Sequence, residues 1–422
     1  MSGTDVLMVD RHADRVADGI WTVGGQGNSM LVDHGDGLLL VDAGPGKEVT
    51  ERMIRSARAV SDKPVTHIVI SHGHMGYNFG VAQWNAHARE RGEPAPMLVG
   101  HERVTARYRR YRETAGLQSY TNTRQFRAPY PSELPSHWFV EPGKTYRDRL
   151  RIAGLRRDVE LVHAPSETDD ATAVWVPSEG VLYGSCACIK SCPNAGSPYR
   201  IHRDPMRWAD TLERLLALGP RILVAEFGKP LTEAADIDEA LTAPIRAIRW
   251  LRMQVVERMN RGMAENEILH DLRYPDELFG GRFMRPVYGC PEWLAREIWR
   301  MENGWWDRNP TTLHPAPASD VAREVLAAVG DPQRVLDRAR VMARDGRLQM
   351  ALHVVDLIAL APVEAPGVAA ARVLKAELLR ARAAEMTSAV SRHVMTSEAE
   401  SLLGLPIGST DTRSGKDTFS WT

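Results

Sequence analysis

Val65-Thr66-His67-Ile68-Val69-Ile70-Ser71-His72-Gly73-His74-Met75-Gly76-Tyr77 is the stretch that decides the reading of this chain. Val65 to Ile70 is rich in β-branched residues and apolar enough for a buried strand. It runs straight into two histidines spaced two apart. A strand that ends in such a loop fixes side chains at a sheet edge and leaves them accessible, which is where sites gather. Neutral imidazoles at this spacing can bind one zinc or iron ion; two solvated turn histidines are the plain alternative.

Outward from this stretch, the first 230 residues alternate strands with helices. Gly19 to Val32 reads as two short strands joined by Gly24-Gly25-Gln26-Gly27, a tight turn rather than a phosphate loop, because no helix follows it. Gly37 to Asp42 is an apolar strand ending in Asp42-Ala43-Gly44, with a helix from Lys47 to Ser61. Further strands are expected at 96–99, 159–164, 172–176, 181–184 and 221–225. Residues 101–146, rich in arginine, tyrosine and proline, read as an irregular insertion at the site mouth. Beyond Pro230 the spacing is helical, over 236–261, 293–301, 319–329, 332–345, 347–361 and 368–396. The expected architecture is α/β, an αββα catalytic domain over 1–230, a helical domain over 231–403 and a loose polar tail over 404–422.

Composition narrows the function classes. The chain has 422 residues, with 53 basic against 54 acidic side chains and a net charge of −1, so nothing in its charge calls for nucleic acid or an anionic membrane. No apolar stretch approaches a membrane span, and Met1 to Asp10 lacks the pattern of a secretory signal. A cytoplasmic enzyme acting on a small molecule is the expectation. Three of the four cysteines, Cys186, Cys188 and Cys192, crowd within seven residues. In a reducing compartment such a cluster is metal-linked, reactive or simply buried.

The ordered set Asp42-Ala43-Gly44, Ser71-His72-Gly73-His74, Ala164-Pro165-Ser166-Glu167-Thr168-Asp169-Asp170 and Val174-Trp175-Val176-Pro177 resembles the metallo-β-lactamase superfamily, and within it the alkylsulfatase-like group. The resemblance continues through Ser197-Pro198-Tyr199-Arg200, Trp208, Tyr288-Gly289 and Gly304 to Pro310. It implies an αββα metallo-β-lactamase sandwich followed by helices that dimerise in the family, hence a homodimer. No counterpart of the group's C-terminal lipid-binding-like domain is read in this sequence.

Carried over residue by residue, the resemblance divides the metal ligands unevenly. The family loop H-x-H-x-D-H keeps His72 and His74, but Gly76 and Tyr77 replace the aspartate and third histidine. Glu167 matches the glutamate of the first metal, Cys186 stands at the usual bridging carboxylate, and Phe227 takes the place of the last histidine. Every ligand peculiar to the second metal is gone. The first position retains His72, His74 and Glu167, with Cys186 as a fourth donor or a site-lining residue, and suits one zinc ion or, alternatively, iron(II).

Other residues carry open readings. Tyr77 can be a phenolic acid, a substrate partner or a filler for the lost histidine. Arg200 and Arg203, where the family holds its anionic substrate, can grip an anion or form ordinary salt bridges. Cys188 can assist as ligand, redox partner or nucleophile, or only fill space, while Cys192 and Cys290 read as buried fillers. Without its second-metal clamp the chain is not expected to be an efficient alkylsulfatase. The expectation is a mononuclear metalloenzyme of hydrolase type on a small, anionic organic substrate in specialised metabolism. Iron-based oxygen, redox or lyase chemistry, or a non-catalytic ligand-binding scaffold, are the alternatives.

Overall fold

The computed structural model describes residue 9, residues 12–128 and residues 130–409. A seven-stranded sheet runs in chain order through β1 (Asp14–Ala17), β2 (Ile20–Gly24), β3 (Asn28–Asp33), β4 (Leu38–Val41), β5 (Val65–Val69), β6 (Met97–His101) and β7 (Lys144–Tyr146). Its first four strands pair antiparallel and the rest parallel. The second sheet contains β8 (Arg149–Ile152), β9 (Val159–His163), β10 (Thr172–Val176), β11 (Val181–Tyr183) and β12 (Ile222–Val224), in the order β12-β11-β10-β9-β8.

The period of two along each strand sorts side chains between layers. In β4, Leu39 and Val41 face the second sheet, joining Val69, Val99, Leu161, Val174, Val176 and Val224 in one core. Leu38 and Leu40 face the other way, onto α1 (Lys47–Val60) and α2 (Val81–Glu90), where Met53, Ala57 and Trp84 receive them. Burial of each such Leu or Val is worth roughly 1.5–3 kcal/mol, so the two faces together fix the sheet order.

The outer face of the second sheet is covered by α5 (Pro205–Leu216), α6 (Ala234–Asn260), α7 (Glu265–Asp271), α8 (Asp276–Phe279) and α9 (Pro291–Asn303). Trp208, Leu212, Leu223, Leu241, Leu251, Leu294 and Trp299 form one cluster there. The division expected at 230/231 therefore crosses a continuous core. A separate helical core begins only with α10 (Ala318–Val329), α11 (Pro332–Arg344), α12 (Leu348–Ala359), α13 (Val368–Ala384) and α14 (Ala389–Leu402). The single helix expected over 368–396 breaks before Ser388, whose hydroxyl accepts from the Ser391 N–H and caps α14.

Within residues 101–146, expected to be irregular, α3 (Arg103–Glu113) and α4 (Ala115–Phe126) are regular helices; between α4 and β7 the described residues are irregular save for a short 3-10 turn at Ser136–Trp138. The buried face of α3 carries Arg107, Tyr108 and Tyr111, polar enough to hide its periodicity. Of the tail expected over 404–422, residues 404–409 turn back so that the Gly408 N–H donates to Glu400 Oε2 at 2.9 Å. Residues 410–422 lie outside the described residues. No described helix is long and apolar enough to cross a membrane.

Candidate active site

Strands β4, β5, β9, β11 and β12 deliver their carboxyl ends to one edge of the sandwich. The Thr172 N–H donates to Ser71 O at 2.7 Å and Ser185 Oγ to the same carbonyl at 3.3 Å, which ties the two sheets together there. Asp42, in the left-handed region at φ 61°, ends β4 and organises the loop. Its Oδ1 accepts from Ser71 N at 2.8 Å and Asn78 Nδ2 at 2.9 Å, and its Oδ2 from Ser71 Oγ at 2.5 Å. Burial raises the Asp42 carboxyl to about 7, against these hydrogen bonds, which lower it.

Ser71 Oγ stands 2.8 Å from His72 Nδ1. With Asp42 ionised the hydroxyl donates to the carboxylate and accepts from Nδ1–H, leaving a lone pair on Nε2. That Nε2 is buried without a hydrogen-bond partner. Burial lowers His72 to about 4 and His74 well below its ordinary value, so both imidazoles are neutral. Their ring centroids are 4.7 Å apart. Gly73 between them is dictated by space, since a Cβ there would meet Asp170 Oδ2 at 2.7 Å and Arg107 Cδ at 2.8 Å. Asp170 accepts from the Gly73 N–H at 2.9 Å and pairs with Arg107 Nε at 3.0 Å.

A pocket opens over this floor, and His74, Tyr77, Glu167, Arg200, Arg203 and Glu226 all line it. Its walls are Met75, Tyr111, Phe126, Tyr130, Phe227 and Tyr288. Glu167 Oε1 accepts from Asn194 Nδ2 at 2.9 Å and from Arg203 Nη1. Arg203 is itself fixed by Asn194 O at 2.7 Å, and its backbone N–H by Glu297 on α9 at 2.8 Å. Arg200 donates to Asn122 Oδ1 on α4 at 3.1 Å. Among the described residues no carboxylate pairs with it, and burial lowers its pKa.

The Tyr77 ring packs on His72 with centroids 4.2 Å apart, and its hydroxyl donates to Glu226 Oε1. Burial, then the nearby Glu167 carboxylate, raises Glu226 to about 8. Glu226 escaped the sequence reading, which stopped at the replaced ligand Phe227 beside it; an acidic residue next to a lost ligand was the available signal. Asn122, Asn194 and the aromatic wall were missed as well, lying on segments without a motif. Cys186 is fully buried behind the Glu167 loop, its Sγ 3.7 Å from Ser166 Oγ and 3.8 Å from Thr168 Oγ1, outside the pocket lining. Burial raises its thiol well above the ordinary range. Cys188 and Cys192 are buried and Cys290 half-buried, and none lines the pocket. His163 is structural, stacked on His101 at 3.8 Å with Nε2 at 2.9 Å from Asp169 O.

Residues 22–226 match the model of the metallo-beta-lactamase superfamily, and residues 264–404 match alkyl sulfatase dimerisation. The chain is a metallo-β-lactamase domain joined to an alkyl sulfatase dimerisation domain. It is 25% identical over 328 residues to a linear primary-alkylsulfatase of a Pseudomonas species, covering 72% of this chain and 61% of that protein. An alkyl/aryl-sulfatase of Saccharomyces cerevisiae is 26% identical over 38% of this chain and 25% of its own length. The solved structure of the stereoselective inverting sec-alkylsulfatase Pisa1 from Pseudomonas sp. superposes with a TM-score of 0.80 at 18% identity, over 96% of this chain and 67% of that one. This metallo-β-lactamase chain thus spans about three fifths of the length of the first of these relatives.

The superfamily implies a metal, and the pocket floor meets it in kind, with two neutral imidazoles, one bearing a bare buried lone pair, beside carboxylates. Among the described residues, no three His, Cys, Asp or Glu side chains surround a common point, and Glu167 is drawn to Arg203. The donor types are those of a metal site, and Glu167 would reach a metal held by the imidazoles only by releasing Arg203.

Proposed function

We propose that this chain is a single-metal, hydrolase-type enzyme acting on a small anionic organic ester. The observation that carries the reading is Arg200. It is a half-buried cation without a carboxylate partner among the described residues, and it faces the same pocket as His74 and Glu167. A desolvated guanidinium grips sulfate, phosphate or carboxylate oxygens through charge-assisted, paired hydrogen bonds. His72, His74 and Glu167 would hold the metal, with zinc first and iron(II) as the alternative that the same donors suit. Bound there, a metal supplies Lewis-acid polarisation of an ester oxygen and a water of lowered pKa.

The chain's own residues do the remainder. Asp42 and Ser71 hold His72 in one tautomer, Asn122 aims Arg200, and Tyr77 keeps a hydroxyl at the pocket floor. The aromatic wall excludes bulk water and strengthens the grip on the anion. The Gly76, Tyr77 and Phe227 replacements support one metal over two. The dimerisation domain supports a homodimer through the helices, and a cytoplasmic location remains the proposal from the sequence.

The test is turnover of p-nitrophenyl sulfate, p-nitrophenyl phosphate and neutral p-nitrophenyl acetate by the zinc-loaded chain. An anionic ester should be preferred, and Arg200→Met should raise its KM about 10–100-fold, the worth of a charged hydrogen bond, while sparing the acetate. Preference for the neutral ester, or no effect of Arg200→Met, would defeat the reading.

A further inference from the structure

At the second-metal position the last ligand is replaced by Phe227, yet the residue before it sends a carboxylate to the same pocket floor. Glu226 Oε1 lies 3.8 Å from His72 Nε2, and both side chains are almost wholly buried, at 3% and 0% exposure. His72 Nε2 is buried without a hydrogen-bond partner, its other ring nitrogen being engaged by Ser71 Oγ at 2.8 Å. Glu226 Oε1 already accepts the Tyr77 hydroxyl, and Glu226 Oε2 is buried without a hydrogen-bond partner. Two buried side chains that each leave a polar atom without a hydrogen-bond partner, held this close together and away from water, are costly unless a cation joins them.

The spacing suits such a cation. Two ligands about 2.1 Å from a zinc ion at the tetrahedral angle stand about 3.4 Å apart, a small side-chain adjustment from the observed separation. Glu167, on the same pocket, adds the repulsion of a second carboxylate, which a cation also relieves. Cys186 offers none of this, since its Sγ faces the hydroxyls of Ser166 and Thr168 behind the loop.

We propose that Glu226 is a metal ligand of this chain, completing a two-imidazole, two-carboxylate site with His72, His74 and Glu167, and that Cys186 is not. The inference rests on the single-metal reading above. It makes the site one of nitrogen and oxygen donors, suited to zinc, iron(II) or manganese(II) rather than to a thiophilic ion.

The experiment titrates the metal-stripped full chain with zinc, comparing wild type with Cys186→Ser, Glu226→Gln and Glu226→Asp by calorimetry. Wild type and Cys186→Ser should bind one zinc with Kd values within about threefold, and Glu226→Gln about a hundredfold more weakly, with Glu226→Asp between. Glutamine keeps the shape and still accepts the Tyr77 hydroxyl; should that variant not fold, Glu226→Asp decides by the same comparison. Loading with cobalt(II) should give no thiolate-to-metal charge-transfer band. Unchanged binding by Glu226→Gln, or a thiolate band that disappears in Cys186→Ser, overturns the assignment while leaving a single-metal site standing. No uptake by wild type overturns both.

Discussion

Ser71 shows how much of the site rests on one small side chain. Its hydroxyl serves Asp42 at 2.5 Å and His72 at 2.8 Å, opposing the rise that burial gives the Asp42 carboxyl and engaging one nitrogen of the His72 ring. Ser71→Ala leaves His72 Nδ1 unpartnered and Asp42 Oδ2 with only the Tyr183 hydroxyl at 3.5 Å, and should cost about 1–3 kcal/mol, measurable as a lower urea midpoint with an unchanged slope. At this scale the sequence was partly legible. Of the residues the motifs single out, His74, Tyr77, Glu167, Arg200 and Arg203 line one pocket, and His72 is buried beside Tyr77 and His74. Cys186 was misjudged as a lining residue because position in a motif says nothing about which way a side chain turns. Glu226 was overlooked because a ligand lost at one position can be replaced from the next, and no motif records that.

Among the elements, legibility followed hydrophobic pattern. β5 and β10 announce themselves as short β-branched runs because they are buried on both faces. α3 and α4 do not, since their inward faces carry Arg107, Tyr108, Gln118, Asn122 and Gln125. Two of those residues reach distant partners: Arg107 pairs with Asp169 at 2.5 Å, and Gln125 Nε2 donates to the Tyr288 hydroxyl at 2.8 Å. α4 in turn leans on α14, where Arg127, just past its end, pairs with Glu400 at 2.9 Å and Arg124 O accepts from Ser397 Oγ at 3.0 Å. A pocket wall is thus supported by the C-terminal helices, a long-range link that local spacing cannot encode.

The whole molecule has a pH signature. His34, His67, His72, His74, His87, His101 and His163 all have pKa values lowered, with burial the largest cause in each. Between about pH 6.5 and 4 the unfolded chain binds protons that these folded histidines refuse, so stability falls as pH drops through that window. Asp42 and Glu226, raised to about 7 and 8, act in the opposite sense but are only two. The urea midpoint of the metal-stripped protein should therefore fall from pH 7 to pH 5; a rise would show that the carboxylates dominate.

The central claim is that the alkylsulfatase scaffold is reduced to one metal, with Gly76, Tyr77 and Phe227 where the second one's ligands belong. Metal content of the purified chain, by elemental analysis after loading with excess zinc and desalting, tests it most directly. One zinc per chain, lost in His72→Ala, is the predicted result. Two tightly held ions per chain, or one that survives His72→Ala, would contradict the account.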